Sequence, residues 1–297
     1  NGCTACFNAC PFHAISMREN ELGFKYPHID MEKCTNCGKC RRVCPELNNF
    51  DNRNYRKPLL FAAYSKDQDI RYESTSGGIF TELAARHIAE GGFVAGAQYT
   101  AEHMVEHAII SKTEDIEKLR QSKYIQSDMK TTFAEVKKLL LADKKVMFVG
   151  SPCQCAGLKA FLGKKYDNLT LVDFICLGVN SPAAYKKYLQ WLEEKYKSPV
   201  KQVWFKNKTR GWNNFSTKVI FEDGQEYIEG RESDLFMKGF IGKNLYFRDS
   251  CYNCSFRRMP RQGDITLADF WGVKKKYDQN KGTSAVFVNS EKLSLIH

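Results

Sequence analysis

Four cysteines, Cys34, Cys37, Cys40 and Cys44, follow one another at gaps of two, two and three residues, with Pro45 after the last. No other stretch limits the fold as strongly. The spacing C-x2-C-x2-C-x3-C-P is that of thiolates around a cuboidal [4Fe–4S] cluster: a tight loop wraps three iron corners and the fourth cysteine points away toward a second cluster. The run therefore predicts a partner run. Moving back 34 positions carries Cys37, Cys40, Cys44 and Pro45 onto Cys3, Cys6, Cys10 and Pro11. The counterpart of Cys34 falls just before Asn1, so the chain is expected to begin inside a ligand motif. Crossed pairing gives one cluster Cys34, Cys37, Cys40 and Cys10, and the other Cys3, Cys6, Cys44 and that preceding residue.

A zinc site is the bland alternative, since two C-x2-C pairs suit a tetrahedral ion. A third cysteine and a proline in each of two in-phase runs do not fit one zinc. Residues 1–46 are thus expected to form a two-cluster ferredoxin domain, and 47–58, polar and closing on Pro58, a linker.

The chain of 297 residues is long enough for two or three domains. No stretch approaches the ~20 apolar residues of a membrane span. Twelve cysteines in ligand-type clusters call for a reducing compartment, so a cytoplasmic location is expected. The formal charge of +11 needs correction, because a four-thiolate [4Fe–4S] site carries about −2 and three would leave roughly +5. The basic balance is then partly counter-charge to anionic cofactors. No aromatic-interleaved basic motif points to nucleic acid; an acidic redox partner remains compatible.

Beyond the linker the pattern turns to alternating strands and helices, an α/β (α+β) body. Strands are expected over 59–64, 93–99, 104–111, 146–150 and 169–176. A helix after Gly78 presents Phe80, Leu83, Ala84, His87 and Ile88, and another presents Phe133, Val136 and Leu140. Ser181 and Pro182 open a third, with Tyr185, Tyr188, Leu189, Leu192 and Tyr196 as its stripe. From 200 onward strands dominate, apart from a short helix near 234–239.

Five cysteines remain. Cys153 and Cys176 follow expected strands, where open α/β sheets gather their sites; Cys251 and Cys254 form a C-x2-C pair. Those four can supply a third [4Fe–4S] site, but a zinc site, a redox pair or plain buried thiols fit the spacing too. Ser74, Thr75, Ser76, Gly77 and Gly78 form the best phosphate-binding loop, a helix start rich in hydroxyls and N–H donors. A serine-capped helix after a flexible turn explains it equally. Neither G-x-G-x-x-G nor G-x4-G-K-[ST] is present, and the six histidines form no metal motif.

From 59 to about 289 the chain resembles the beta subunit family of coenzyme F420-reducing hydrogenase and dehydrogenase, in whose bacterial branch a ferredoxin domain precedes this body. The match is carried by STSGG at 74–78, GG at 91–92, SKYIQS at 122–127, GSPCQ at 150–154, ICLG at 175–178, RGW at 210–212, SCYNC at 250–254 and GDITLADFWG at 263–272. The resemblance implies an FAD-dependent iron–sulfur oxidoreductase with a mixed α/β flavin-binding body. It implies Cys153, Cys176, Cys251 and Cys254 as ligands of a third cluster, with Cys155 a bystander. Flavin contacts are implied from Ser74, Thr75, Ser76, Gly77 and Gly78, from Lys123 and Tyr124, and from the stretch holding Asp264 and Asp269. Lys123 by itself reads equally as a surface lysine. The body divides into an N-terminal part, 59–135, and a C-terminal part, 136–297, holding FAD and the third cluster and ending short of the usual family length.

On this reading a soluble donor such as ferredoxin feeds the clusters, and FAD passes a hydride to a small molecule, coenzyme F420 or another organic substrate. A non-enzymatic electron-transfer subunit serving a partner redox subunit is the competing expectation.

Overall fold

The computed structural model of the chain describes residues 2–48, Asn54 and 57–291. The expected linker at 47–58 lies mostly outside them. The N-terminal segment repeats itself in three dimensions as it does in sequence. Short helices, Ala5–Ala9 and Lys39–Arg42, start after Thr4 (φ 63°) and Gly38 (φ 68°), which the 34-residue shift superposes. A left-handed residue is uncommon for a β-branched side chain, so a common loop shape is being imposed on both copies. Between the helices, β1 (Ile15–Glu19) and β2 (Lys25–Ile29) pair antiparallel, Ile15 opposite Ile29.

The body is built on β3 (Leu59–Ala63), β4 (Phe93–Tyr99), β5 (Val105–Ile110), β6 (Val146–Val149) and β7 (Leu169–Phe174), then β8 (Val200–Asn207), β9 (Ser216–Phe221), β10 (Glu226–Gly230), β11 (Ile265–Asp269) and β12 (Ser284–Val288). Seven of these form one mixed sheet in the order β3-β12-β11-β7-β6-β4-β5. The central β4, β6, β7 and β11 are parallel; β5, β12 and β3 add antiparallel margins. Continuous apolar runs such as Val146–Val149 belong in such a centre, because helices cover both faces. Alternating residues serve opposite faces. Val94, Met147 and Val172 pack with Ala84 and Ile88 of helix Ile79–Ala89. Ala95, Phe148 and Leu171 pack with Phe133 and Leu158 from helices Thr132–Leu141 and Pro152–Leu162.

Cys3 and Ala5 join that second cluster, so the ferredoxin segment shares a core with the body. Further ties are Lys25 Nζ to Asp128 at 2.5 Å and the Ser181 hydroxyl donating to Leu22 O at 2.7 Å. A second layer, the antiparallel sheet β8-β9-β10, packs on helix Pro182–Tyr196 through Tyr185, Leu189, Leu192, Phe205 and Val219. Among the described residues no helix is long and apolar enough to cross a membrane.

The expected elements are present with trimmed ends: β7 stops at Phe174, before Cys176. Several helices of the body were not anticipated, among them two that flank the site. Gln68–Glu73 is capped by Asp67, whose side chain accepts from the N–H groups of Asp69 and Ile70. Pro152–Leu162 carries Cys153; Gln154 Oε1 accepts from the Ser151 N–H at 2.8 Å, and Gly163 (φ 70°) stops it.

Candidate metal and cofactor centre

The carboxyl ends of β6 and β7 open onto a cavity lined by Cys153, Cys176, Cys251 and Cys254. Each arrives differently. Cys153 stands in the first turn of Pro152–Leu162, 3.2 Å from the Ser151 hydroxyl. Cys176 lies two residues past β7. Cys251 and Cys254 come from the one-turn helix Asp249–Tyr252 and the loop after it, with Cys251 N–H donating to Arg248 O at 2.8 Å. Four thiols drawn from three distant segments to one cavity make a donor set that fits an iron–sulfur cluster. Among the described residues no trio of His, Cys, Asp or Glu is arranged for a single metal ion. A cluster binds its thiolates at separate irons, so it needs a wider ring than zinc with its ~2.3 Å bonds.

Burial pushes the Cys153 thiol up to about 11, and burial likewise raises Cys176 and Cys251. Free thiolates are thus disfavoured here, whereas a coordinating metal removes the proton outright. Cys155, two residues along the same helix, is fully buried, its Sγ toward Gly150 O and Val172 O at 3.7 and 3.8 Å. It belongs to the core rather than to the cavity.

In the ferredoxin segment the cysteines divide by depth. Cys3 is buried, and burial, followed by smaller effects that include the Cys153 and Cys6 charges, pushes its thiol up to about 12. Burial also raises Cys6, whose thiol neighbours are Cys44 and Cys40. Cys37 is exposed, and N–H donation from Lys39 holds it below its ordinary value. Cys10 Sγ accepts from Ala14 N–H at 3.3 Å.

The residues implied for a flavin are partly brought together. Thr75 Oγ1 accepts from Ser122 N–H at 2.8 Å, which joins the 74–78 loop to the segment of Lys123 and Tyr124. Lys123 is no surface lysine: its amine donates to Arg120 O at 2.8 Å, and burial pulls it down to about 7. Asp269 pairs with Lys206, whose amine also sits 5.9 Å from the Tyr124 ring centroid. Burial lowers Lys206, but Tyr124 and Asp269 outweigh it and leave the amine above its ordinary value. Lys208 donates to Ser76 O at 2.6 Å, and burial, then the Arg71 charge, lowers it to about 7. Trp212 and Trp271 stack at 4.5 Å beside this group.

Two amines held mainly by carbonyls stand next to a loop whose Ser74 hydroxyl has no partner among the described residues, a set that fits an anionic dinucleotide able to restore their charge. Lys206 and Lys208 were not legible as site residues; as lone lysines at a strand end they look solvent-bound. Two implied contacts read differently in the structure. Gly77 is needed by backbone packing, since a Cβ there would strike Ala63 O and stand 2.8 Å from Ser284 N. Asp264 lies level with Leu171, its Oδ2 accepting from Leu171 N–H at 2.8 Å, away from Asp269.

Residues 143–296 match the C-terminal family model of the "Coenzyme F420 hydrogenase/dehydrogenase, beta subunit", and 60–133 match its N-terminal model. Residues 1–47 match a 4Fe-4S dicluster domain. A component of the Na(+)-translocating ferredoxin:NAD(+) oxidoreductase complex of Acetobacterium woodii is 47% identical over 45 residues, 15% of this chain and 12% of that protein. The VorC component of ketoisovalerate oxidoreductase from Methanothermobacter marburgensis is 40% identical over 51 residues, 16% of this chain and 65% of that one. In both cases the chain spans less than two thirds of the relative. A chain of the F420-reducing [NiFe] hydrogenase complex from Methanosarcina barkeri superposes with a TM-score of 0.52 at 19% identity, covering 82% of this chain and 78% of that one, a likeness of fold. With the C-terminal model alone spanning more than half of its length, the chain belongs to the coenzyme F420 hydrogenase/dehydrogenase beta subunit family, as an iron–sulfur protein with an N-terminal 4Fe-4S dicluster domain.

Proposed function

We propose that the chain is a cytoplasmic FAD-dependent iron–sulfur oxidoreductase with three [4Fe–4S] clusters, exchanging electrons between a ferredoxin-type donor and a hydride-accepting small molecule such as coenzyme F420. The observation that carries this reading is the convergence of Cys153, Cys176, Cys251 and Cys254 on one cavity. In the ferredoxin domain, residues 1–46, Cys10, Cys34, Cys37 and Cys40 hold the outer cluster and Cys3, Cys6 and Cys44 the inner one. The depth of these thiols supports that order: exposed Cys37 meets an external donor, while buried Cys3 abuts the helix of Cys153.

The flavin body divides near 135. Ser74, Thr75 and Ser76 line the phosphate side, with Lys123 and Lys208 as counter-charges and Tyr124, Trp212 and Trp271 as apolar walls. Bound FAD supplies the interconversion of one-electron and hydride chemistry. Lys123 and Lys208 stabilise negative charge there because they sit buried, where little water screens them.

Iron analysis tests the reading. Cys153→Ala should lose about four iron atoms per chain, one cluster's content, whereas Cys155→Ala should keep wild-type iron. Equal iron in Cys153→Ala and wild type would refute the body cluster. Full iron with no flavin, and no uptake of added FAD, would favour the electron-transfer subunit instead. Exposed Ile175, Leu177 and Tyr252 beside the cluster cysteines supply that second reading with an apolar contact surface.

A further inference from the structure

Arg248 is 1% exposed, yet its partners among the described residues are neutral. One terminal nitrogen donates to Gln126 Oε1 at 3.2 Å, the other to Lys25 O at 3.1 Å, and the guanidinium lies 3.9 Å over the Tyr26 ring. Its Nε is buried and without a hydrogen-bond partner among the described residues. A buried cation is costly unless an opposite charge accompanies it, and these partners provide only dipoles. Asp249, the carboxylate next in the chain, is exposed and screened by water; the cysteine cavity is a buried place beside Arg248 for that charge. Gln126, which Arg248 holds, and Gly2, 3.3 Å from an Arg248 terminal nitrogen measured at its would-be Cβ, both line it. Arg248 O also accepts the N–H of Cys251, so the guanidinium and a cluster ligand share one turn of chain.

We infer that Arg248 is the resident counter-charge of the body cluster: it stabilises the more negative, reduced state and holds that cluster's potential up, so that electrons from the ferredoxin clusters move inward. The inference rests on the cluster reading above. Arg248 does not itself line the cavity; its charge acts across Gln126 and the cavity wall. Arg257 also lines the cavity and donates to Leu177 O, but it is partly exposed, so water screens its charge.

The test is an electron-paramagnetic-resonance redox titration of the full chain, taking as the body-cluster wave the one missing from Cys153→Ala. Arg248→Gln should shift that wave down by about 59 mV, the one-electron equivalent of a tenfold fall in the reduced-to-oxidised ratio, with the other waves unmoved. Arg248→Lys, which keeps the charge, and Arg257→Gln should change that ratio by less than about twofold. An unmoved wave in iron-replete Arg248→Gln overturns the inference. Should Arg248→Gln lose the cluster, Arg248→Lys decides: wild-type iron and potential support the counter-charge, and iron loss in both variants makes Arg248 a structural pin and overturns it. No third wave in the wild-type chain would remove the cluster reading itself, and this inference with it.

Discussion

Cys3 lies directly against the backbone of Gly157: a Cβ on that glycine would stand 2.8 Å from both Cβ and Sγ of Cys3. Gly157 is one turn beyond Cys153 on helix Pro152–Leu162, so a single helix touches Cys3 of the ferredoxin segment and presents Cys153 to the cysteine cavity. Exposed helix glycines cost about 1 kcal/mol relative to alanine. Here the missing side chain is what lets the two regions meet.

Gly157→Ala should therefore fail to deliver that helix gain. Overpacking against Cys3 and Phe133 is expected to cost ~1–3 kcal/mol, leaving the variant less stable in anaerobic urea unfolding. Stopped-flow reduction should also show slower passage of electrons from the ferredoxin clusters to the body. A variant more stable than wild type, with unchanged kinetics, would mean the contact is loose.

The pair Arg261 and Asp173 holds the loop after Cys254 against β7. Arg261 is 1% exposed and Asp173 fully buried; they approach to 3.3 Å. Arg261 also donates to Phe174 O and Arg257 O, each at 2.8 Å, and so bridges the segments of Cys176 and Cys254. Removing it leaves a buried carboxylate without its ion-pair partner, held by the Gln262 and Gly263 N–H groups and the Thr266 hydroxyl, at a cost of roughly 3–5 kcal/mol. Arg261→Ala should lose that much unfolding free energy and shed body-cluster iron first. A loss under about 1 kcal/mol, in the range of exposed pairs, would show the pair to be dispensable.

Much of this was legible in the sequence because the signals were local. The 34-residue repeat displayed two ligand loops, and Thr4 adopts the left-handed turn of Gly38 despite its side chain. Strand runs such as Val146–Val149 and the Ser181–Pro182 helix start could be read from period and capping. Helix Pro152–Leu162 was not expected although Ser151, Pro152, Gln154 and Gly163 spell its start and stop. Lys206, Lys208 and Arg248 were illegible for a different reason. Whether a charge is buried is decided by partners far away in sequence, and one lysine or arginine carries no mark of them.

Gly77 separates fold from ligand. It sits where Ser284 Oγ accepts its N–H at 2.9 Å and where β3 and β12 pair Ala63 with Ser284. Gly77→Val should disrupt this sheet margin and lower stability by several times RT (about 0.6 kcal/mol) before any flavin effect is measurable. Circular dichroism melting of the apo chain checks it. An apo-protein melting point equal to wild type, with flavin lost, would return Gly77 to a role in cofactor approach.

Lys123 offers a test by pH. Burial holds its amine at about 7, below the ordinary lysine value of 10.5. The folded apo chain then binds fewer protons at Lys123 than the unfolded chain between those two values, so this residue makes apo stability rise with pH through that window. An anionic cofactor beside Lys123 restores the ammonium, so binding takes up a proton when pH exceeds 7. FAD affinity should accordingly weaken as pH rises above 7, approaching tenfold per unit if Lys123 alone is responsible. Calorimetry at pH 8 in two buffers of different ionisation enthalpy should register proton uptake approaching one per FAD, and Lys123→Met should abolish both the uptake and the pH slope. Proton uptake undiminished in Lys123→Met would assign it to Lys208, the other amine near 7. No uptake in wild type would place FAD away from both lysines.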